Sequence, residues 1–467
     1  MNSINIVLLN PPGHKRYVRS YYCGSTSKTG YLFQPVDLLI LSGILQQEHN
    51  IFAVDCIADP LSPQEALERI ASHNPQVVVC LVSIVSWEED LDFLYRLKRE
   101  IPFVKIIANG DVFFEDPEYK LSNIGCIDAV IFDFISHDIV NYLKGNEEGI
   151  RNMIYKKGDR LIVKRISAKD TGGIFSIPMP SHELFLNKNY RFPFAKSHPF
   201  TTVLTSFGCP FKCSFCIANK LGFKYRKAGE VFEELRYVRR LGIKEIFFED
   251  MSFGLPRENI IDLLGMMIDS DFEFGWSCFS RVDILDEPAL LLMKKSGCHT
   301  IIFGVESENE DILSINNKGY TKAQVIETFK TCRRLKIRTV ATFVLGLPQE
   351  TRQTCLQTIR FAKEIGCDYA SFNVAVPRPG TELRQMALKE NLIQKEQLNF
   401  DHSANKASMP SKYLSEQEIG ELKRMAVREF YFRPSYIFKK IAGIRSFTEL
   451  REHINGLLGL LGNNIGR

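Results

Sequence analysis

Along the first third of the chain, apolar residues come in short unbroken runs separated by amphipathic stretches. The runs are INIVLL, IFAVDC, QVVVCLV, VKIIAN and DAVIF, and the stretches include VDLLILSGILQQ, PQEALERIAS and EEDLDFLYRLKRE. An unbroken apolar run suits a strand buried on both faces, and its alternation with helix-periodic segments describes a parallel, doubly wound α/β sheet. The pattern therefore predicts a Rossmann-like or flavodoxin-like domain over residues 1–144. Ligands of such sheets sit beyond the carboxyl ends of the strands, here NPPG at Asn10, DCIAD at Asp55, SIVSW at Ser83 and NGD at Asn109. The segment YYCGSTSKTGYLFQPVDLL after the first strand is long for a strand-to-helix loop and reads either as a lid over the cleft or as a solvated surface loop.

Residues 145–196 lose this periodicity and gain glycine, proline and mixed charge, which predicts a connector carrying a small hairpin. A second alternating series then begins: TTVLTS, EIFFED, FGWSCFS, TIIFGVES, RTVATFVLG and YASFNVAV, each followed by a helical pattern. Six strand and helix units predict a partial (β/α)6 barrel over residues 197–393, with functional groups at the strand carboxyl ends. Residues 394–467 read as a helical C-terminal extension, ending in INGLLGLLGNNIGR, which suits a packed amphipathic helix or a lipid-surface contact.

Composition narrows the class. A net charge of +4 on 467 residues, without a long basic run, gives no footprint for nucleic acid. No apolar run approaches the roughly 18 residues of an integral membrane span, and MNSINIVLLNPPG lacks a basic leader with a cleavage site. The expectation is a cytoplasmic chain, so its 12 cysteines are thiols or metal ligands rather than disulfides. Cys80 and Cys278 lie in apolar runs and read as core.

Three cysteines break that pattern. TSFGCPFKCSFCIANK places Cys209, Cys213 and Cys216 in one loop directly after a strand. Zinc would need a second pair of ligands at characteristic spacing, and a disulfide would leave one thiol over. Three thiolates suit a [4Fe-4S] cluster with one iron free of protein ligands.

This CxxxCxxC loop, with Phe215 before its last cysteine, resembles the radical S-adenosylmethionine (SAM) superfamily. In that family the open iron binds the methionyl amine and carboxylate of SAM, and the reduced cluster cleaves it to a 5'-deoxyadenosyl radical. The resemblance runs from about Phe200 to Leu392. It implies that Glu249 and Asp250 in FFEDMSF hold the SAM amine, that Ser280 and Arg281 in SCFSRVD meet its carboxylate, and that Glu306 in FGVES meets the ribose. Gly346 in FVLGLPQET would let backbone approach SAM, and NVAVPRPGTEL resembles the segment closing the top of the site.

A Rossmann-like domain ahead of such a barrel resembles the cobalamin-binding branch, which includes radical methyltransferases, the anaerobic cyclase of chlorophyll synthesis and hopanoid-tailoring enzymes. That implies cobalamin against Pro12, Ser83, Ser86, Asn109 and Gly110. The chain departs from the branch at DCIADP, where Ile57 replaces a histidine, and at FDFISHD, where Phe132 and Phe134 replace glycines. A sheet that keeps the fold without the cofactor is the alternative, and His14 and His137 near the same rim read as structural. The expected activity is hydrogen abstraction from a small-molecule substrate, with cobalamin-dependent C-methylation in natural-product or lipid biosynthesis first. A cobalamin-free cyclase, dehydratase or oxidoreductase comes second, and a non-enzymatic iron-sulfur protein is the competing class. A reducing partner such as flavodoxin or ferredoxin is implied.

Overall fold

The computed structural model describes residues 3–167, 172–270 and 273–443. Its first sheet contains β1 (Asn5–Asn10), β4 (Asn50–Asp55), β5 (Val77–Val82), β6 (Lys105–Gly110), β7 (Ala129–Ile131), β8 (Met153–Lys157) and β9 (Arg160–Lys164). The order is β4-β1-β5-β6-β7-β8-β9, with the first five strands parallel. Among those five the order is that of a flavodoxin-like sheet, whose switch point lies between β1 and β5. The unbroken burial of Val77–Val82 explains why the sequence shows a run and not an alternation there. The hairpin expected in the connector is β8–β9, and it pairs antiparallel with β7, extending the first sheet to Lys164.

The second sheet is parallel throughout, in the order β11 (Phe200–Val203), β14 (Glu245–Phe248), β15 (Gly275–Ser280), β16 (Cys298–Glu306), β17 (Arg338–Leu345) and β18 (Tyr369–Val374). This is the open six-stranded barrel that the pattern predicts. TTVLTS is not one strand, however. β11 ends at Val203, and β12 (Ser206–Gly208) joins a separate small sheet with β13 (Phe223–Tyr225) and β10 (Gly172–Ile174). The outer edge at β18 is covered by the helix Glu416–Tyr431, whose Ile419, Leu422, Ala426 and Phe430 are buried. Tyr431 also donates to Ala370 O at 2.7 Å and accepts from Ala370 N, pairing backbone groups that an edge strand leaves open. The INGLLGLLGNNIGR tail lies outside the described residues. Among the described residues no helix is long and apolar enough to cross a membrane.

The long segment after β1 does not lie over the cleft as a lid. It carries a two-stranded ribbon, β2 (Tyr17–Val18) with β3 (Ser25–Thr26), and drives Tyr21 and Tyr22 between the sheets. Tyr21 stacks on Phe207 and meets Phe134 edge-on, while Tyr22 packs on Phe114 and Phe134. Burying two aromatic rings outweighs exposing them as a flap. Further along, Lys28 donates to Ser371 Oγ, Phe372 O and Asn373 Oδ1 at the end of β18.

Charge completes the junction. Arg378 pairs with Asp111 at 2.9 Å, Lys224 with Asp133 at 2.6 Å and Arg384 with Glu115 at 2.7 Å, each joining the second half of the chain to the first. Arg384 is fully buried and also donates to Gln397 O and Lys395 O. Removing one partner of a buried pair leaves the other charge uncompensated, at a cost of about 3 kcal/mol. Arg384→Met is therefore expected to lower the urea midpoint clearly, and adding Glu115→Gln to recover part of the loss. An unchanged midpoint in Arg384→Met would show that the pair contributes nothing to the junction.

Candidate active site

The cysteine loop is held from four directions. Gly208 leads into it at φ 75°, and a Cβ there would lie 1.8 Å from Gly222 O, so only glycine fits the turn. Cys209 N donates to Gly222 O at 2.9 Å, and Gly208 N donates to the Tyr21 hydroxyl of the first domain. At the far side Ser214 N donates to Asn316 O, Ser214 Oγ to Asn316 Oδ1 at 2.6 Å, and Leu383 N to Ser214 O. Cys216 N closes a turn onto Cys213 O at 3.1 Å.

The three thiols sit in a low-dielectric pocket. Burial pushes Cys216 up to about 12 and raises Cys209 above its ordinary value. Thiolates at those positions would need a compensating cation. Among the described residues no three His, Cys, Asp or Glu side chains converge where one ion could sit.

Cys213 is in contact with a cationic group. Arg281 Nη1 lies 3.7 Å from its Sγ, while the same guanidinium lies over the Phe211 ring at 3.7 Å and pairs with Asp283 at 2.8 Å. Glu306 reaches this group through Lys318, whose Nζ is 3.0 Å from Glu306 Oε1 and 5.9 Å from the Phe215 ring centre. A register shift between Gly304 and Glu306, with Glu306 at φ 60°, turns that side chain inward at the end of β16. The fold thus gathers Cys213, Phe215, Arg281 and Glu306. Lys318, Phe211 and Tyr320, the last donating to Gly304 O and Val305 O, complete the group, and sequence reading missed all three.

The remaining predicted residues divide differently. Asp250 Oδ1 accepts from Thr205 N, Thr205 Oγ1, Ser206 N and Ser206 Oγ, so it clamps the passage from β11 into the cysteine loop. Ser280 Oγ donates to Phe253 O at 2.7 Å. Gly346 stands at φ 86°, and a Cβ there would meet Ile419 at 2.8 Å, so it makes room for the C-terminal helix. Glu249 is buried with Oε2 unpartnered and faces Ser20 and Asp37 of the first domain.

At the first sheet, Ser83, Asn109 and Gly110 line a small cavity with Arg19, Tyr22, Cys23 and Asp37. Asn109 Nδ2 donates to Asp37 at 2.7 Å, and its Oδ1 has no partner. Ser86 is occupied: its Oγ donates to Asp90 and accepts from Arg19, which also spans Asn10 and Pro11 O across the switch point. Pro12 is buried beside them, and His14 and His137 are exposed.

Glu350, in the loop after β17, accepts from Gly346 N and Leu347 N, and burial raises its carboxyl to about 7 from 4.5. Between those values the native state holds a proton that the unfolded chain has lost, so stability falls as pH rises. The loss once the group is fully ionised is about 3 kcal/mol, because each tenfold difference in proton affinity between the two states corresponds to about 1.4 kcal/mol. Urea midpoints are expected to decline between pH 5 and 8, less steeply in Glu350→Gln. Parallel slopes for the two proteins would refute this.

The model of the radical SAM superfamily matches residues 203–362. The chain is 31% identical over 470 residues to an uncharacterized methyltransferase of Pyrococcus horikoshii, covering 98% of this chain and 99% of that protein. It is 24% identical over 402 residues to the anaerobic magnesium-protoporphyrin IX monomethyl ester cyclase of Rubrivivax gelatinosus, covering 82% and 71%. Among solved structures, the methyltransferase TsrM from Kitasatospora setae, with cobalamin and a [4Fe-4S] cluster bound, superposes with TM-score 0.68 at 15% identity, covering 98% of this chain and 99% of that one. The cobalamin-dependent enzyme OxsB, with aqua-cobalamin and SAM bound, gives 0.69 at 14%, covering 98% and 72%. At those identities the two structures establish the fold. A three-cysteine loop at the carboxyl mouth of an open six-stranded barrel, and a full-length relative above 30% identity, lead to one assignment: the chain belongs to the radical SAM superfamily and is an enzyme of that family.

Proposed function

We propose that the protein cleaves SAM at a [4Fe-4S] cluster held by Cys209, Cys213 and Cys216 and methylates an organic substrate with the help of cobalamin. The observation that supports this most is the placement of the cysteine loop: it lies at the barrel mouth, pinned to the first domain through Tyr21, with Arg281 against Cys213. Bound there, the cluster and SAM supply a carbon radical able to abstract hydrogen, and cobalamin supplies a methyl group. The chain's own residues bind and orient. Arg281, already over Phe211, offers a planar guanidinium to a carboxylate. Glu306 and Lys318 form a buried pair that can exchange partners with ribose hydroxyls. Glu249, with an unpartnered oxygen, is an acceptor for an N–H of the SAM amine. The Tyr21, Tyr22 and Phe134 wall keeps water from the space between the sheets.

For cobalamin, the first domain offers Ser83, Asn109 and Gly110 at the strand ends, where the free Asn109 Oδ1 lines a small cavity and could receive one donor such as a corrin amide. A second reading, a cobalamin-free radical enzyme, is favoured by Phe132 and Phe134, which are buried where the branch uses glycine, with Arg165 stacked 3.5 Å from the Phe132 ring centre.

Anaerobic reconstitution with iron and sulfide, then dithionite and SAM, is expected to yield 5'-deoxyadenosine and to lose both product and the cluster's visible absorption in Cys213→Ala. Retention of a corrin band after gel filtration supports methylation; deoxyadenosine without it supports the second reading. Cluster absorption and deoxyadenosine that persist in Cys213→Ala would refute the site.

A further inference from the structure

Arg281 follows β15 at the barrel mouth and is 5% exposed. Its Nε donates to Asp283 Oδ1 at 2.9 Å, and its Nη2 donates to Asp283 Oδ2 at 2.8 Å and to Lys318 O. Its Nη1 donates to Cys213 Sγ at 3.7 Å. A guanidinium carries five N–H groups, so these contacts commit four of them and leave one Nη1 hydrogen for a ligand.

The plane of the group is fixed as well as its edge. The Phe211 ring lies 3.7 Å from the guanidinium carbon and the Tyr320 ring 5.3 Å away. Turning the guanidinium away from Cys213 would break the two-pronged bond to Asp283 and the stack on Phe211 together, so the direction of Nη1 is set before any ligand arrives. Phe211 and Cys213 belong to one loop, which therefore supplies both the surface that seats the arginine and the sulfur at which it points. Cys213 is 7% exposed, so water competes little for that sulfur.

Resting on the reading that Cys213 holds one iron of a [4Fe-4S] cluster, we propose that Arg281 raises the reduction potential of that cluster through its N–H to the Cys213 sulfur, with Asp283 and Phe211 as the positioning residues that aim it. Reduction brings one electron from an external donor and places part of its charge on the thiolate sulfurs. An N–H donor on a sulfur stabilises that reduced form more than the oxidised one, and the potential rises. No proton moves, because an arginine keeps its charge throughout. The remaining Nη1 hydrogen still points to the cleft side of the group, so a contact to the SAM carboxylate and the contact to sulfur coexist on one side chain.

The test is an EPR-monitored redox titration of the anaerobically reconstituted protein without SAM, using dithionite as reductant, with iron and sulfide content measured on each sample. At the potential where half of the unsubstituted protein's cluster is reduced, Arg281→Met is expected to show a reduced-to-oxidised ratio about tenfold lower, a midpoint about 59 mV more negative for one electron. An unchanged midpoint at full iron content overturns the proposal. A second measurement does not depend on how well that variant folds: pulsed EPR of the reduced protein made with guanidino-15N arginine. A nitrogen coupling that changes with the label is expected, and it is expected to vanish in Arg281→Lys, which keeps the charge and loses the fork. Absence of the coupling, or its persistence in Arg281→Lys, overturns the contact. The two levels separate: an unsubstituted protein that forms no four-iron cluster overturns the cluster reading itself, whereas a cluster whose potential and coupling ignore Arg281 overturns this inference alone.

Discussion

Buried charge at the carboxyl edges of two open sheets is the constraint on which the rest of this molecule depends. The Arg378 guanidinium reaches Asp111 of the first sheet, Gly24 O of the wedge segment and His402 Nδ1 of the C-terminal region, each at 2.9 Å. A guanidinium has donors in fixed directions, so it accepts one arrangement of those three partners and not a range of them. Asp111 is in turn committed to Ile84 N, which ties the strand ends β5 and β6 to the same point. With Arg384 and Lys224 alongside, the two sheets are held face to face at their functional edges, and the segment from Tyr17 to Thr26 is trapped between them.

The cysteine loop inherits its geometry from this junction. Its entrance is fixed by Asp250 from the barrel and by the Tyr21 hydroxyl from the first domain, and its exit by Asn316 and Leu383. The loop is therefore positioned by residues far apart in the chain, while its own eight residues supply the thiols, the turn, the Ser214 contact to Asn316 and the Phe211 ring under Arg281. Raised thiols at Cys209 and Cys216 mean that the polypeptide alone disfavours their charged forms.

The same economy of charge shapes what lies around the loop. Arg281 and Lys318 are cations beside a thiol, each already paired with a carboxylate, so their side chains are oriented before any ligand arrives. Glu249 and Asp37 are the opposite case, acidic groups without cations.

By itself the sequence determined the two α/β halves, the six-stranded open barrel, the three-cysteine loop and the strand-end positions of Arg281, Glu249 and Glu306. These follow from local period, strand length and spacing, which neighbouring residues impose on one another directly. It did not determine the wedge. YYCGSTSKTGY has the composition of a surface loop, and only the aromatic surfaces of Phe134, Phe207 and Phe114, distant in sequence, make burying its tyrosines favourable. Nor could it separate Asp250 from Glu249, adjacent carboxylates at one strand end, because the pleat and the turn send one to the Thr205–Ser206 backbone and the other across the junction. Lys318, Arg378 and Asp37 were invisible for the same reason: a buried charge is defined by the partner that meets it, and those partners are chosen by the packing of one sheet against the other.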